Sequence, residues 1–287
     1  YFHDGDDYLL AASAGGAPNN PGWYHNLMAN PEAVVHVRGE AIDVTASALL
    51  LVLAAGATAS YGPEIIAAHR EEWEREAAGM EEKFRQACAN QSFTFEWRIV
   101  DGGYQPMAAT VAQQCGTADI VVVSQGAEMA GFGRDDLPER VVLEGGRPVL
   151  VVPRAGHYTT IGERVLVAWN GKRESTRAIF DALPMLKAAA DVKVLAVETG
   201  RSGEGIDFPG AEIAAALARH GVKVEAARTV LESGASIGDE LLNRLSDEGR
   251  DLLVMGCYGH SRMHEFVFGG VTRDILANMT APVLLSH

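Results

Sequence analysis

An internal repeat is the feature that most constrains the fold of this chain. Thr117–Gln125 (TADIVVVSQ) is similar to Gly249–Cys257 (GRDLLVMGC), and Arg147–Pro153 (RPVLVVP) is similar to Ala281–His287 (APVLLSH). The two similarities recur in the same order, at spacings of 132 and 134 residues. Such a period predicts that the chain contains two copies of one structural unit.

The second copy has the pattern of an α/β unit. Short apolar segments alternate with segments whose apolar residues recur at helical spacing, and Ser236 is placed to cap one of the helices. Strands separated by helices imply parallel pairing with right-handed crossovers, so the pattern predicts a doubly wound parallel sheet. The predicted strands are Arg164–Asn170, Val192–Thr199, Val222–Leu231, Asp251–Gly256 and Pro282–Ser286.

The first copy is recognisable only from its second strand onward. Ala48–Gly56 (ALLLVLAAG) corresponds to Val192–Thr199, and helices are predicted from about Tyr104 to Cys115 and from Leu137 to Leu143. Nothing like residues 164–189 precedes Ala48, so the first copy is expected to lack its first strand and helix. Residues 1–46 have another character. YLLAAS, residues 8–13, is predicted to be a strand, and alternation on both sides of Arg38-Gly39 predicts a β-hairpin, which together indicate antiparallel β structure.

Composition and charge narrow the function classes. The 287 residues are 47% hydrophobic and carry a net charge of −14 with no Lys/Arg cluster, which argues against nucleic-acid and membrane partners. Three separated cysteines suit a reducing cytosol, and the longest apolar stretch, about 14 residues, is shorter than the roughly 20 that a membrane span needs. The start, YFHDGDD, has no basic leader and no Met. We therefore expect a cytoplasmic protein whose reading frame begins further upstream.

Two family resemblances follow from particular motifs. Residues 48–287 resemble the tandem universal stress proteins, because MGCYGHSRMHEFVFGGVTRDILANMTAPVLLSH carries that family's Gly-x2-Gly-x9-Gly spacing at Gly256, Gly259 and Gly269. Residues 1–46 resemble a fragment of the deazaflavin-dependent nitroreductases through GGAPNNPGWYHNLMANPEAVVHVRG. The fragment covers about a third of such a domain.

These resemblances divide the chain into three segments. Residues 1–47 are expected to be a partial split-barrel fragment, residues 48–156 an incomplete and degenerate universal stress protein-like unit, and residues 157–287 a complete one. The fold class is therefore α/β, with two tandem doubly wound parallel sheets preceded by a short antiparallel fragment.

The glycine loop after Met255 has two interpretations. Its glycines would let backbone N–H groups approach an anion, and a helix beginning near Gly269 and Gly270 would direct free N–H groups and its positive dipole end to the same place. Alternatively, the glycines only form a tight turn. Because the loop lacks the Lys-Ser/Thr of a Walker motif, hydrolysis is not implied.

The resemblance to stress proteins implies an ATP or AMP site with two departures. Gly270 stands where nucleotide-binding members commonly have Ser or Thr, and Asn170 stands where they have Asp. The resemblance places Val197, Met255 and Val271 along the adenine and ribose. The implied nucleotide-binding residues are Asn170, Val197, Met255, Gly256, Gly259, Gly269, Gly270 and Val271.

No nucleotide is expected in the first copy. Alignment of the repeat puts Ser124 and Ala127 opposite Gly256 and Gly259, and Asp135 and Asp136 opposite Gly269 and Gly270, so two carboxylates would repel a phosphate.

The sequence predicts neither a metal site nor a catalytic set. Cys257, His260 and His264 have spacings that could suit a metal, but no fourth ligand is evident, so surface histidines are the preferred interpretation.

Three functions stay open at this point. The first is a stress-response protein that binds an adenine nucleotide without turnover, its two units packed as an intramolecular pseudo-dimer through PVLVVP and PVLLSH, with a homo-oligomer left open. The second is a deazaflavin-dependent reductase acting through the N-terminal segment, although its coenzyme is not expected to bind to so small a fragment. The third is an accidental fusion with no combined function.

Overall fold

The structure is a computed structural model in which the described residues form two compact units, one up to Val149 and one from Leu150. It describes residues 7–13, 47–54, 75, 77–86, 88–89, 95–101, 107–125, 128–129, 133–134, 137–156, 158, 160–199, 210–231, 234–257 and 270–287. In this part of the chain, no helix has the length and apolar character needed to cross a membrane.

The first unit is an α/β structure with parallel strands. Its sheet has the order β4–β1–β2–β3, and β5 and β6 form a separate antiparallel pair. The helices predicted from 104 to 115 and from 137 to 143 are confirmed. The elements are β1 (Asp7–Ser13), β2 (Ser47–Ala54), α1 (77–86), β3 (Phe95–Asp101), α2 (Met107–Gln114), a 3-10 turn (Cys115–Thr117), β4 (Ile120–Ser124), β5 (Glu128–Met129), β6 (Gly133–Arg134), α3 (Leu137–Glu144) and the beginning of β7 (Val149–Val152).

The first strand predicted to be missing from this unit is present. YLLAAS does form a strand, but β1 lies between β2 and β4 and pairs with both in parallel. The prediction that it belongs to antiparallel structure is therefore wrong. The sequence could not decide this, because a short apolar run fits any buried strand and does not identify its partners. The hairpin predicted around Arg38-Gly39 lies outside the described residues.

The second unit has five parallel strands in the order β10–β9–β8–β11–β12. All five predicted strands are confirmed, as is the Ser236 cap, whose hydroxyl accepts a hydrogen bond from the Asp239 N–H at 3.1 Å. The elements are β8 (Arg164–Trp169), α4 (Arg173–Asp181), α5 (Leu183–Ala188), β9 (Asp191–Thr199), α6 (Ala211–Arg219), β10 (Val224–Leu231), α7 (Ile237–Asp247), β11 (Leu252–Gly256), α8 (Gly270–Asn278) and β12 (Val283–Ser286).

The central strands of the second unit are apolar because helices cover both faces of a doubly wound sheet. Val165, Leu166 and Val167 of β8 are completely buried, as are Leu252 and Leu253 of β11. The helical pattern after β8 forms two helices where one continuous segment was predicted. The break at Ala182 precedes Pro184, which has no N–H to continue a helical ladder.

A cluster of charges joins the amino ends of these strands. The Arg250 side chain is 2% exposed, and its guanidinium donates to the Glu248 carboxylate at 2.8 Å and to the Val165 carbonyl at 2.9 Å. It also lies 3.3 Å from the Asp191 carboxylate at the start of β9. The Lys193 ammonium bonds the same Glu248 at 2.7 Å. This network fixes the edge of the sheet opposite to the candidate site.

Candidate functional site

The second sheet reverses its winding at β8. From β8 the chain runs outward to β9 and β10, and then returns to the other side of β8 to form β11 and β12. In open α/β sheets, ligands bind outside the carboxyl ends of the strands at such a switch point. The topology therefore makes the carboxyl ends of β8 and β11 the candidate binding site.

Strand register brings three predicted residues to this edge. Trp169 is paired with Ala196, so Asn170 and Val197 follow at the same level of neighbouring strands. Gly256 ends β11 one residue after Met255, which is paired with Ala168 of β8. Asn170, Val197 and Gly256 therefore lie near the carboxyl ends of three adjacent strands, with Gly256 one residue before the level of Asn170 and Val197.

Gly256 is packed tightly against the beginning of α4. A Cβ at this position would lie 2.3 Å from the Glu174 carbonyl carbon and 2.4 Å from the Ser175 nitrogen. These are backbone atoms, which cannot move aside as the end of a flexible side chain can. In this structure, the absence of a side chain at Gly256 lets the backbone of helix α4 pack against the end of β11.

Gly270 is in a different environment. It is the first residue of α8, it is exposed, and a Cβ there would have no atom within 4 Å among the described residues. The sequence predicted a helix opening at this point, and the structure confirms it. A serine would fit sterically at this helix N-terminus, and Val271, the next residue, is half-buried.

Asn170 is exposed and uses its side-chain oxygen locally. The Asn170 Oδ1 accepts a hydrogen bond from the Lys172 N–H at 3.0 Å. The Lys172 carbonyl in turn accepts from the Ser175 and Thr176 hydroxyls at 2.9 and 3.0 Å. These bonds define the turn from β8 into α4. An aspartate oxygen could accept the same Lys172 bond.

Met255 and Val197 differ in the surface that they offer. Met255 is 5% exposed, so its side chain belongs mainly to the core. Val197, near the carboxyl end of β9, is half-buried. The family resemblance implied the same role for both residues, beside the adenine and ribose. The structure leaves more surface on Val197 for a contact with a ligand.

Residues at the end of β12 complete this edge and were missed by sequence reasoning. Ser286 is paired with Gly256, is 1% exposed, and its hydroxyl has no hydrogen-bond partner within the described part of the chain. The Cys257 N–H and thiol both donate to the Ser286 carbonyl, at 2.9 and 3.3 Å. The register of β11 with β12 is the only signal that could have found Ser286.

Burial makes the Cys257 thiol unreactive. Loss of solvent raises its pKa far above the ordinary value, and the nearby Glu174 carboxylate raises it further. A thiol that stays protonated is a poor nucleophile and a poor metal ligand. Within the described ranges, no three His, Cys, Asp or Glu residues are grouped to hold a metal.

Several predicted positions are not among the described residues. They are Gly259, Gly269, His260, His264, Ala127, Asp135 and Asp136. In the first unit, Ser124 ends β4 as Gly256 ends β11, in agreement with the alignment of the repeat.

The unit that contains the candidate site is similar to a known family. Residues 162–287 match the Universal stress protein family. A universal stress protein of Synechocystis is 28% identical over 175 residues, which is 59% of this chain and 58% of that protein. The family match therefore covers the part of the chain that contains the candidate site.

Solved structures agree with the fold over nearly the whole chain. A universal stress protein from Archaeoglobus fulgidus, 12% identical, superposes with a TM-score of 0.72 over 97% of this chain and 95% of its own. A putative universal stress protein from Pseudomonas aeruginosa, 11% identical, gives 0.58 over 98% and 92%. At these identities the likeness is one of fold.

The N-terminal segment matches a different family. Residues 1–54 match the F420H(2)-dependent quinone reductase family. An F420H(2)-dependent quinone reductase of Mycobacterium tuberculosis is 54% identical over 46 residues, which is 16% of this chain and 31% of that protein. The chain thus spans about a third of the length of the reductases that it matches.

Proposed function

We propose that this chain is a cytoplasmic stress-response protein with two universal stress protein-like units, which binds ATP or AMP in the second unit without turning it over. The observation that carries the proposal is the meeting of Asn170, Val197 and Gly256 at the switch point of the second sheet. Ligands of open α/β sheets bind at such a switch point, and the residues near it include those that the family resemblance implies.

Each part of the crevice has a role in this proposal. Asn170 bonds the ribose hydroxyls, and Val197 contacts the adenine or ribose through its apolar surface. The N-terminus of α8, beginning at Gly270, directs its free N–H groups toward the phosphates. The backbones of Gly259 and Gly269 complete the phosphate contacts. Without a Walker lysine or a paired general base, nothing in this set activates water.

Nucleotide binding can be tested at Gly270, where the nucleotide-binding members of the family commonly have Ser or Thr. Because a Cβ at Gly270 would meet no atom within 4 Å among the described residues, Gly270→Ser adds a hydroxyl without displacing any of them. A hydrogen bond from this hydroxyl to a phosphate oxygen contributes about 1 to 3 kcal/mol, so binding of ATP should strengthen by about 5- to 150-fold. Isothermal titration calorimetry with ATP and AMP on the full chain measures this.

The chain offers a matched control for that substitution. Gly79 is an exposed glycine in α1 of the first unit, and a Cβ there would also meet nothing within 4 Å in the part of the chain that the structure describes. Gly79→Ser should leave nucleotide binding unchanged. If neither the parent nor Gly270→Ser gives a binding heat with any adenine nucleotide, the glycines are turn-formers and the proposed function fails.

The reductase alternative has its own test. Sequence similarity favours it, but the matched segment is about a third of a reductase, and its strand β1 is part of the α/β sheet. We expect no reductase activity. Stopped-flow mixing of the full chain with F420H(2) and a quinone or nitroaromatic should show coenzyme oxidation no faster than the blank without protein. A clearly faster, protein-dependent oxidation would restore the reductase as the preferred function.

A further inference from the structure

We propose that Asp7–Ser13 is an intramolecular donor strand, taken from the reductase-like segment, that fills a slot between β2 and β4 and completes the first universal stress protein-like unit. The interaction surface is the pair of strand edges that β2 and β4 present to each other. Its partner is residues 7–13 of the same chain. The proposal does not depend on nucleotide binding.

The pairing of β1 shows that the slot is filled on both sides. All seven residues of β1 are in register with β2, from Asp7 opposite Ser47 to Ser13 opposite Leu53. Tyr8 to Ala11 are also in register with β4. Because β1 pairs with β2 on one side and with β4 on the other, the edges of β2 and β4 that face β1 are hydrogen-bonded. Without β1, both β2 and β4 would expose hydrogen-bonding groups that need a partner.

The register of β1 is that of the first strand in the second unit. Tyr8 is paired with Ile120, and Val165 is paired with Leu252, which lies 132 residues after Ile120. The 132-residue spacing is the repeat period that the sequence shows between Asp119 and Asp251. Tyr8 therefore occupies the position of Val165.

The other neighbour of β1 gives the same correspondence. Tyr8 is paired with Ala48 of β2, as Val165 is paired with Val192 of β9. The correspondence aligns GDDYLLAAS, residues 5–13, with GERVLVAWN, residues 162–170. Both segments begin with Gly followed by one acidic residue, differ in charge at the next position (Asp7 and Arg164), and continue as an apolar run, so the N-terminal segment has the apolar composition that the slot requires.

The connection between β1 and β2 is long enough for the two strands to pair in parallel. Parallel neighbours need a crossover of a dozen or more residues, and residues 14–46 supply 33 between β1 and β2. The equivalent connection in the second unit, residues 170–190, is shorter but obeys the same rule. The segment that matches a quinone reductase therefore provides a strand for a different fold, and the join of the two sequences has a structural consequence.

Hydrogen exchange on the full chain tests this pairing. Amides of residues 8–12 should exchange as slowly as those of β8, because both are central strands of parallel sheets. Leu10→Pro removes one amide donor from β1 and should speed exchange in β1, β2 and β4 by at least about tenfold. Leu10→Val keeps the N–H and a β-compatible side chain, so it should leave these rates close to those of the parent.

Two results would overturn the donor-strand proposal. One is exchange of residues 8–12 in the parent chain at the rate of an unstructured peptide. The other is a Leu10→Pro chain in which β2 and β4 keep the protection of the parent. The first measurement requires no variant, so a failure of Leu10→Pro to fold would not leave the proposal untested.

Discussion

Gly256 and Gly270 lie at the two ends of the same glycine loop, but their missing side chains have different consequences. Gly256 makes room for the backbone at the start of α4, 2.3 Å from where its Cβ would lie, whereas a Cβ on Gly270, the first residue of α8, would meet no atom of the described residues within 4 Å. Spacing alone predicted one shared role beside a phosphate. It could not distinguish them, because the residue that occupies the space above a glycine is distant in sequence.

A pair of alanine substitutions separates these roles. Gly256→Ala should lower the free energy of unfolding by about 1 to 3 kcal/mol, the usual cost of overpacking a site whose neighbours cannot move away. Gly270→Ala, in an open first helical turn, should be neutral or stabilise by up to about 1 kcal/mol. Urea unfolding of both variants measures the difference. Equal effects at the two positions would contradict the packing described for Gly256.

The amino ends of the strands are held by charge, while their centres are held by apolar burial. Arg250, with its side chain 2% exposed, bonds Glu248 and lies close to Asp191, and Lys193 bridges Glu248 and Glu225 at 2.7 and 2.9 Å. Removal of one partner from a buried ion pair costs about 3 to 5 kcal/mol, because the other partner stays buried. We expect Arg250→Met to lose about 3 kcal/mol in urea unfolding.

The same network predicts a pH dependence. Burial alone would raise the pKa of Glu248, but hydrogen bonds from Lys193 and Arg250 outweigh it and lower the pKa below its ordinary value of 4.5. A lowered carboxyl pKa means that this stabilisation is present above pH 4.5 and is lost as pH falls through the folded value. Glu248→Gln should therefore flatten the acid side of the stability profile.

An exposed glutamate serves as the control for this profile. Glu212→Gln in α6 changes the same charge at an exposed site and should keep the slope of the parent. Lys193 should behave oppositely, because burial lowers its pKa but the hydrogen bonds that it donates to the Glu248 and Glu225 carboxylates raise its pKa above 10.5. Its contribution is present below pH 10.5 and is lost on further alkalinisation. An acid slope unchanged in Glu248→Gln would exclude this linkage.

For helices and strands, the features that depend on neighbouring residues could be predicted from the sequence, whereas the pairing partners of the strands could not. The periodicity of Val192–Thr199, the Ser236 cap and the helix start at Gly270 depend on neighbours in sequence, and all three were predicted. The parallel partners of β1 and the contact of Gly256 with α4 depend on residues far away in the chain. The 132-residue repeat period relates Ile120 to Leu252 but not Tyr8 to Val165, which are 157 residues apart, so the period does not identify β1. The likeness of residues 1–46 to another family also favoured the wrong partners.

For the whole molecule, the central claim is that a nucleotide binds to one unit of the two. Both units have parallel strands in corresponding order, and the Universal stress protein family model matches residues 162–287 of the second unit. The second unit ends its strand at Gly256, while the first ends at Ser124 and has two aspartates in the sequence before α3. Two adjacent carboxylates repel a phosphate, so the units should differ in binding.

The measurement that tests this claim most directly is hydrogen exchange of the full chain with and without saturating ATP. We expect ATP to slow exchange in residues 252–257 and 270–275, at the end of β11 and the beginning of α8. Residues 120–125 and 137–142, the corresponding segments of the first unit, should keep their rates. Protection in the first unit, or no protection at β11 and α8 although calorimetry shows binding, would contradict the proposed site.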